Sequence, residues 1–225
     1  MFAWSAIDLS ALWLTLKVAS FATLLALLTG VAFGYVLARF RLPGRRLIEA
    51  VLTLPLVLPP TVVGYYLIVA LGRNSALGGW LDSNFGVSLM FTWQGAVAAA
   101  AVVSFPLVFT SARAAFEGVD GRLEQVARTL GAGETKVFIQ VTLPQAMRGI
   151  AGGTMLTFAR AMGEFGATLM IAGNIPGKTQ TLSLAVYDAV HAGNDALANA
   201  LVALISVTCI VVLLVTSRVL NPGAR

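Results

Sequence analysis

LWLTLKVASFATLLALLTGVAFGYVL, residues 12–37, carries one charged side chain, Lys17, in a run longer than the ~20 apolar residues a helix needs to cross a hydrocarbon layer. Four further charge-poor stretches follow, at about 50–71, 93–112, 149–172 and 196–215. The whole chain is 58% hydrophobic and 11% charged, against about 25% charged in soluble domains, so lipid rather than water is its main solvent. The N-terminus has no basic segment ahead of the first apolar run and no obvious cleavage site after it, so the first helix is expected to stay in place.

The fifteen basic residues set the orientation. Arg39, Arg41, Arg45 and Arg46 follow the first stretch; Arg113, Arg122, Arg128, Lys136 and Arg148 follow the third; Arg218 and Arg225 close the chain. These eleven fall on one side of a five-crossing arrangement, while the opposite loops hold only Arg73 and Lys178. Positive charge collects in the cytoplasm, which places the N-terminus outside and the C-terminus inside. A net charge of +5 distributed in this way points to membrane topology, not to nucleic acid. Lys17 is placed to snorkel near the outer end of its helix, and Trp13, Trp80 and Trp93 fit an interfacial belt. Residues 176–194 read as a short amphipathic or re-entrant helix that does not cross, through Leu182, Leu184, Ala185, Val186 and Ala189.

Chemistry within the chain is sparse. Cys209 is the single cysteine, which excludes an intrachain disulfide or cysteine metal site. His191 is the single histidine and has no companion ligands at metal spacing, so it reads as a solvated surface residue. The run from Gly173 to Thr179 imitates a phosphate-binding loop but has three residues between its glycines where four are needed, and it lies outside. No nucleophile elbow and no paired carboxylates occur within one apolar stretch, so no catalytic residues are expected.

The polar segment 120–144 is too regular for a simple connector, since Leu123, Val126, Ala127 and Leu130 recur at helical spacing. Asp120 is suited to cap its start. Gly131 and Gly133 permit a tight turn before a second short helix over 134–141, and Pro144 opens the fourth membrane helix. So small a cytoplasmic surface offers this apolar stripe little of its own chain to pack on. A partner groove is one acceptor, and the ends of the membrane helices are the other.

Residues 125–144, QVARTLGAGETKVFIQVTLP, resemble the cytoplasmic signature of binding-protein-dependent importer permeases: Glu-Ala-Ala, three residues, Gly, nine residues, Ile, one residue, Leu-Pro. Gln125, Val126 and Ala127 take the first three positions, Gly131 the glycine, Val141 the isoleucine, and Leu143 and Pro144 the final pair. Gln125 and Val126 depart from the pattern, with Glu124 one position early. The stretches ARTLGAG, FARAMGEFGAT and NIPGKTQTLSLAVY resemble the molybdate permease branch. The resemblance implies a coupling helix, formed by Leu123, Gln125, Val126, Ala127, Leu130, Gly131, Ala132, Val141, Leu143 and Pro144, that seats in a groove of an ATPase subunit.

Arg160 and Glu164 stand four apart on one face of the fourth stretch and can pair. Ionisable groups at membrane depth face a bundle interior or an aqueous path, so the two belong to a path, a dimer interface or a purely structural pair. Pro55, Pro59 and Pro60 interrupt the second stretch, as happens where unwound backbone lines a substrate cavity. Helix N-termini and hydroxyls suit transient passage of an oxyanion, which makes Thr53, Pro59, Pro60, Thr61, Ser104, Arg160 and Glu164 the candidate path.

The expectation is therefore an all-α integral membrane protein: one transmembrane domain over 1–225, a bundle of about five transmembrane helices, and a cytoplasmic coupling segment at 120–144. The resemblance further implies an importer permease in the inner membrane, working as a homodimer with two cytoplasmic ATPase subunits and an extracytoplasmic anion-binding protein. ATP and magnesium would then reside on the partner, with no cofactor and no metal held by this chain. Sulfate or tungstate are alternative cargoes. An ion-coupled secondary transporter, with Glu164 as its embedded carboxylate, and a scaffold without transport are the readings from other classes.

Overall fold

The structure, a computed structural model, describes residues 9–220 apart from Arg41 and Val87, and only the backbone of 215–220. Arg41 and Arg225 of the basic clusters, and the Arg218 side chain, lie outside the described residues. The described residues form helices and no strand: α1 (Leu9–Arg39), α2 (Arg45–Val57), α3 (Pro60–Leu71), α4 (Ala76–Phe85), α5 (Trp93–Glu117), α6 (Gly121–Thr129), α7 (Glu134–Val137), a π-helical segment (Phe138–Thr142), α8 (Leu143–Met162), α9 (Gly166–Ala172), α10 (Leu182–His191) and α11 (Asp195–Leu220).

Helices in lipid gain no hydrophobic drive from meeting one another, so close backbone approach between small residues must hold them. The interior follows that rule. Ala19, Ala22, Ala96, Ala99 and Ala100 are fully buried in the central cluster. A Cβ on Gly30 of α1 would sit 2.7 Å from Val108 Cγ1 of α5, and one on Gly149 of α8 would sit 2.7 Å from Ala115 Cβ. At Gly153 a Cβ would meet the Ser111 side chain, with Oγ at 2.7 Å. Gly153→Val should therefore push α8 away from α5 and cost about 1–3 kcal/mol. Thermal unfolding in detergent checks this, and an unchanged melting curve would contradict the close approach.

Three helices, α1, α5 and α11, have the length and apolarity to cross a membrane. The second apolar stretch is not one straight span. It starts at Arg45 and is split into α2 and α3, which meet at 115°. The cause is local: neither Pro59 nor Pro60 can donate a backbone N–H, and the residue before a proline avoids the helical region. Leu58 is accordingly extended, at φ −69° and ψ 143°. Pro55 is carried within α2.

The fourth stretch is also divided. It starts at Leu143, stops at Met162 and resumes at Gly166, so residues 163–165 interrupt what the hydropathy pattern joined. The expected separate helix over 134–141 is instead four residues of α7 running through the π-helical segment into α8. There the Leu143 N–H reaches back to the Phe138 carbonyl, and Pro144 lies in the first turn of α8, where its missing N–H is harmless.

Residues 182–191 form the short helix expected of that region, ten residues and about 15 Å long, too short to cross. Its start is pinned to α1 by Thr15, whose buried hydroxyl accepts from the Leu182 N–H at 2.8 Å and donates to the Ala11 carbonyl at 2.7 Å. Lys17 does more than snorkel: its Nζ stands 3.6 Å from the centroid of the Trp93 ring, a cation–π contact that joins α1 to the start of α5.

Candidate functional site

α6 is inverted relative to an ordinary amphipathic helix. Its apolar residues Leu123 and Val126, and Leu130 just after it, are 51%, 54% and 81% exposed, and its one buried residue is Glu124. An apolar stripe turned outward on a charged segment marks a surface that another molecule covers. Leu123, Val126 and Ala127 of α6, with Leu130 at its end, face Val141 and Pro144 across a shallow groove of about 480 Å³. Six of the ten residues expected to couple are thus brought into one surface. Gln125 is exposed beside it, and Ala132 is half-buried in the turn. Leu143 points the other way and packs on the cluster of Phe116, Ala146 and Ile150.

The turn is built from backbone requirements. Asp120 accepts from the Arg122 N–H at 2.9 Å and caps α6. At the other end Gly131 lies at φ +80°, the left-handed conformation that glycine adopts freely. The Ala132 N–H reaches the Ala127 carbonyl at 3.1 Å and the Gly131 N–H the Arg128 carbonyl at 3.0 Å, which is a Schellman termination. Across the turn, Arg128 grips Glu134 through two bonds of 2.7 and 3.0 Å. Hydrogen bonding from that guanidinium holds the Glu134 carboxyl below the usual carboxylate range.

Glu124 is the buried junction residue of this segment, and its sequence position alone does not mark it as one. Its carboxylate pairs with Arg39 at the end of α1 and accepts from the Thr142 hydroxyl at 2.6 Å. Three elements, α1, α6 and the π-helical segment, therefore converge on one buried carboxylate. The aromatic contacts repeat the junction: Tyr35 of α1 lies 5.2 Å from Phe116 and 4.8 Å from Phe138, edge to face. The signal available in sequence was negative, a charge interleaved with a stripe that faces outward.

The path candidates divide into groups. Arg160 Nη1 and Glu164 Oε2 are 2.9 Å apart, and the Glu164 side chain is almost fully buried while that of Arg160 is about one-third exposed. Oε1 of Glu164 also accepts from the Ala167 N–H at 2.8 Å, so the carboxylate closes the start of α9. A Cβ on Gly166 would lie 3.1 Å from Pro60 Cβ and 3.3 Å from the Thr61 nitrogen. The start of α3, just after its break, therefore packs against the start of α9, just after the break at 163–165. Thr53 lies apart on α2, with its hydroxyl donating to the Glu49 carbonyl at 2.8 Å. Ser104 is fully buried in α5, and its hydroxyl donates to the Ala100 carbonyl at 2.5 Å.

At the same end as the coupling groove, α2 is tied to α5 by a charge network. Glu49 accepts from Arg45 at 2.6 Å and from Arg113 at 2.6 Å, and Glu117 pairs with both arginines. No group of three or more metal-ligating side chains exists among the described residues.

Comparison with known proteins adds three findings. The sequence pattern of a family described as "binding-protein-dependent transport system inner membrane component" matches residues 30–225. The chain is 47% identical over 208 residues to the molybdenum transport system permease protein of Escherichia coli K12, covering 92% of this chain and 91% of that one. It is 44% identical over 200 residues to a putative molybdenum transport system permease protein of Bacillus subtilis 168, covering 89% and 86%. A sulfate transport system permease protein of Synechocystis is 38% identical over 177 residues, covering 79% and 64%. Among solved structures, the fold is similar to a methionine ABC transporter in inward-facing form (TM-score 0.73, 18% identity, 96% of this chain and 95% of that one). It is similar also to a bacterial ABC importer of the acidic polysaccharide alginate (TM-score 0.78, 14% identity, 96% and 80%).

Proposed function

The chain belongs to the family of binding-protein-dependent transport system inner membrane components, and we propose that it is the permease subunit of an ATP-driven molybdate importer. It is a multi-pass protein of the inner membrane and a transport component, not a catalytic enzyme. The observation that carries the cargo is the identity of 47% across nine-tenths of the chain to a molybdenum permease, against 38% over a shorter span to a sulfate permease.

In this reading five crossings are made by α1, the bent pair α2–α3, α5, α8 with α9, and α11, with the N-terminus outside and the C-terminus inside. At about 30 Å the twenty-residue α8 has the length for a crossing, and the positive-inside distribution supports the orientation. Two copies surround a central path. The uncovered apolar face of α2 and α3, with Val57 81% exposed, supports burial in lipid or against the second copy. Two cytoplasmic ATPase subunits hold ATP and magnesium, and a binding protein delivers the anion from outside.

The coupling groove around Leu123, Val126, Leu130 and Val141 seats on the ATPase. Closure of the ATPase dimer on ATP pushes the segment 123–141. Because Glu124 joins that segment to Arg39 and Thr142, the push reaches α1 and α8 together. The breaks at Leu58–Pro59 and Gly163–Phe165, which are followed by residues that pack together, are where backbone can rearrange to pass an anion. Glu164 is internally neutralised by Arg160 and closes α9, which favours a positioning role for the pair over direct contact with a dianion.

Co-reconstitution with its cognate ATPase and binding protein in proteoliposomes tests the reading. Molybdate-loaded binding protein should stimulate ATP hydrolysis and drive uptake, whereas sulfate should do neither at equal concentration. Uptake by this chain alone under an ion gradient would sink the ATP-driven mechanism.

A further inference from the structure

The two basic residues in the loops opposite the arginine clusters line one cavity. Arg73, at the loop after α3, and Lys178, in the loop after α9, both line a space of about 660 Å³. They are 105 positions apart in sequence, so only the fold brings them together. Neither forms an ion pair with a carboxylate among the described residues. The polar side-chain contact of Arg73 is from Nε to the Ser88 hydroxyl at 3.3 Å, which leaves its outer nitrogens directed to no protein acceptor among those residues.

The cavity wall is also where the backbone is strained. Phe91 has φ +56°, the one non-glycine residue with a left-handed backbone among the described residues. Its N–H donates to the Ile171 carbonyl at 3.0 Å, which clamps the 88–92 segment to the end of α9. Strained backbone of this kind persists where surroundings over-determine it, and it is found at ligand sites. Ile68, Met90 and Phe91 give the cavity an apolar floor, over which two unneutralised cations repel and an anion is attracted more strongly than in open water.

We propose that this cavity is a binding site for a tetrahedral oxyanion at the outer mouth of the permease, with Arg73 and Lys178 supplying the charge and Ser88 a hydroxyl. The volume admits the anion with its hydration shell, which suits a station on the way to the path, because tight coordination would trap the cargo. The inference rests on the permease reading and its orientation for the word outer. Its chemistry is shared by two sources, a free oxyanion released by the binding protein and the phosphate of a lipid headgroup.

The test uses the full chain in nanodiscs of phosphatidylcholine, with radiolabelled molybdate as the probe, and compares wild type, Arg73→Lys and the double variant R73Q/K178Q. Both cations are exposed, so the fold should tolerate these changes, and matching melting curves verify it. Loss of about tenfold or more in molybdate affinity by the double variant, with binding kept in Arg73→Lys, supports the free anion. Equal molybdate binding, with phosphatidylglycerol retained on purified wild type and lost from the double variant by native mass spectrometry, assigns the site to headgroup phosphate. Equal behaviour in both assays overturns the site. If wild type imports molybdate in proteoliposomes while both assays are flat, the permease reading stands and this proposal alone fails.

Discussion

Gly131→Asp should abolish coupling, lowering ATP-driven uptake by roughly tenfold or more while leaving a folded, membrane-inserted protein. The reasons lie in the geometry of the turn. Gly131 is at φ +80°, a conformation that aspartate reaches at modest cost, and nothing lies within 4 Å of a Cβ built there. The chain therefore has room for the side chain. What it places in that room is a charge beside Leu130, the most exposed residue of the apolar stripe, on the face proposed to seat in the ATPase. A desolvated carboxylate without a partner at such an interface costs several kcal/mol. Gly131→Asn separates the two effects, since asparagine accepts the same backbone conformation and brings no charge. The measurement is uptake and ATP hydrolysis side by side in proteoliposomes: hydrolysis without uptake is the expected outcome for aspartate, and near-normal uptake for asparagine. Normal uptake by the aspartate variant would remove 131 from the docking surface.

Glu124→Gln should be the most destabilising single change in the cytoplasmic segment. The carboxylate is 5% exposed and answers both Arg39 and the Thr142 hydroxyl. Breaking a fully buried ion pair costs about 3–5 kcal/mol. Arg39 keeps about a quarter of its side chain in solvent and can turn outward, so a loss of about 2–3 kcal/mol is expected here. Thermal unfolding in detergent measures it. Adding Arg39→Leu to Glu124→Gln should recover part of the loss, because the stranded charge is gone, and the double-mutant cycle isolates the pair. Uptake should fall in Glu124→Gln more steeply than the melting temperature predicts, since the residue links α6 to α1 and to the π-helical segment that leads into α8. A variant that melts and transports like wild type would show that the junction carries no load.

Gln125 and Glu124 illustrate what a pattern in sequence can and cannot assign. The family signature places a glutamate where this chain has Gln125, which is exposed at the surface of α6. The carboxylate one residue earlier points inward, to a partner 85 positions away on α1. Residues one apart on a helix face directions about 100° apart, and only the packing of α6 against α1 decides which of them is covered. The same holds for the path candidates: Pro60 and Thr61 come close to Gly166, two residues from Glu164, because α3 and α9 pack at their starts, and Ser104 is buried because its face of α5 forms the core.

The sequence by itself determined the solvent, the helical class, and the capped helix of the 120–144 segment with its turn. Each depends on a local property: an apolar run long enough for lipid, an aspartate that caps, a glycine that enters the left-handed region, a proline without an N–H. The tertiary structure alone decided the 115° bend between α2 and α3, the burial of Glu124 and the meeting of Arg73 with Lys178. Angles and contacts of that kind are set by how small residues let helices approach across long stretches of chain, and no window of neighbouring residues contains both partners.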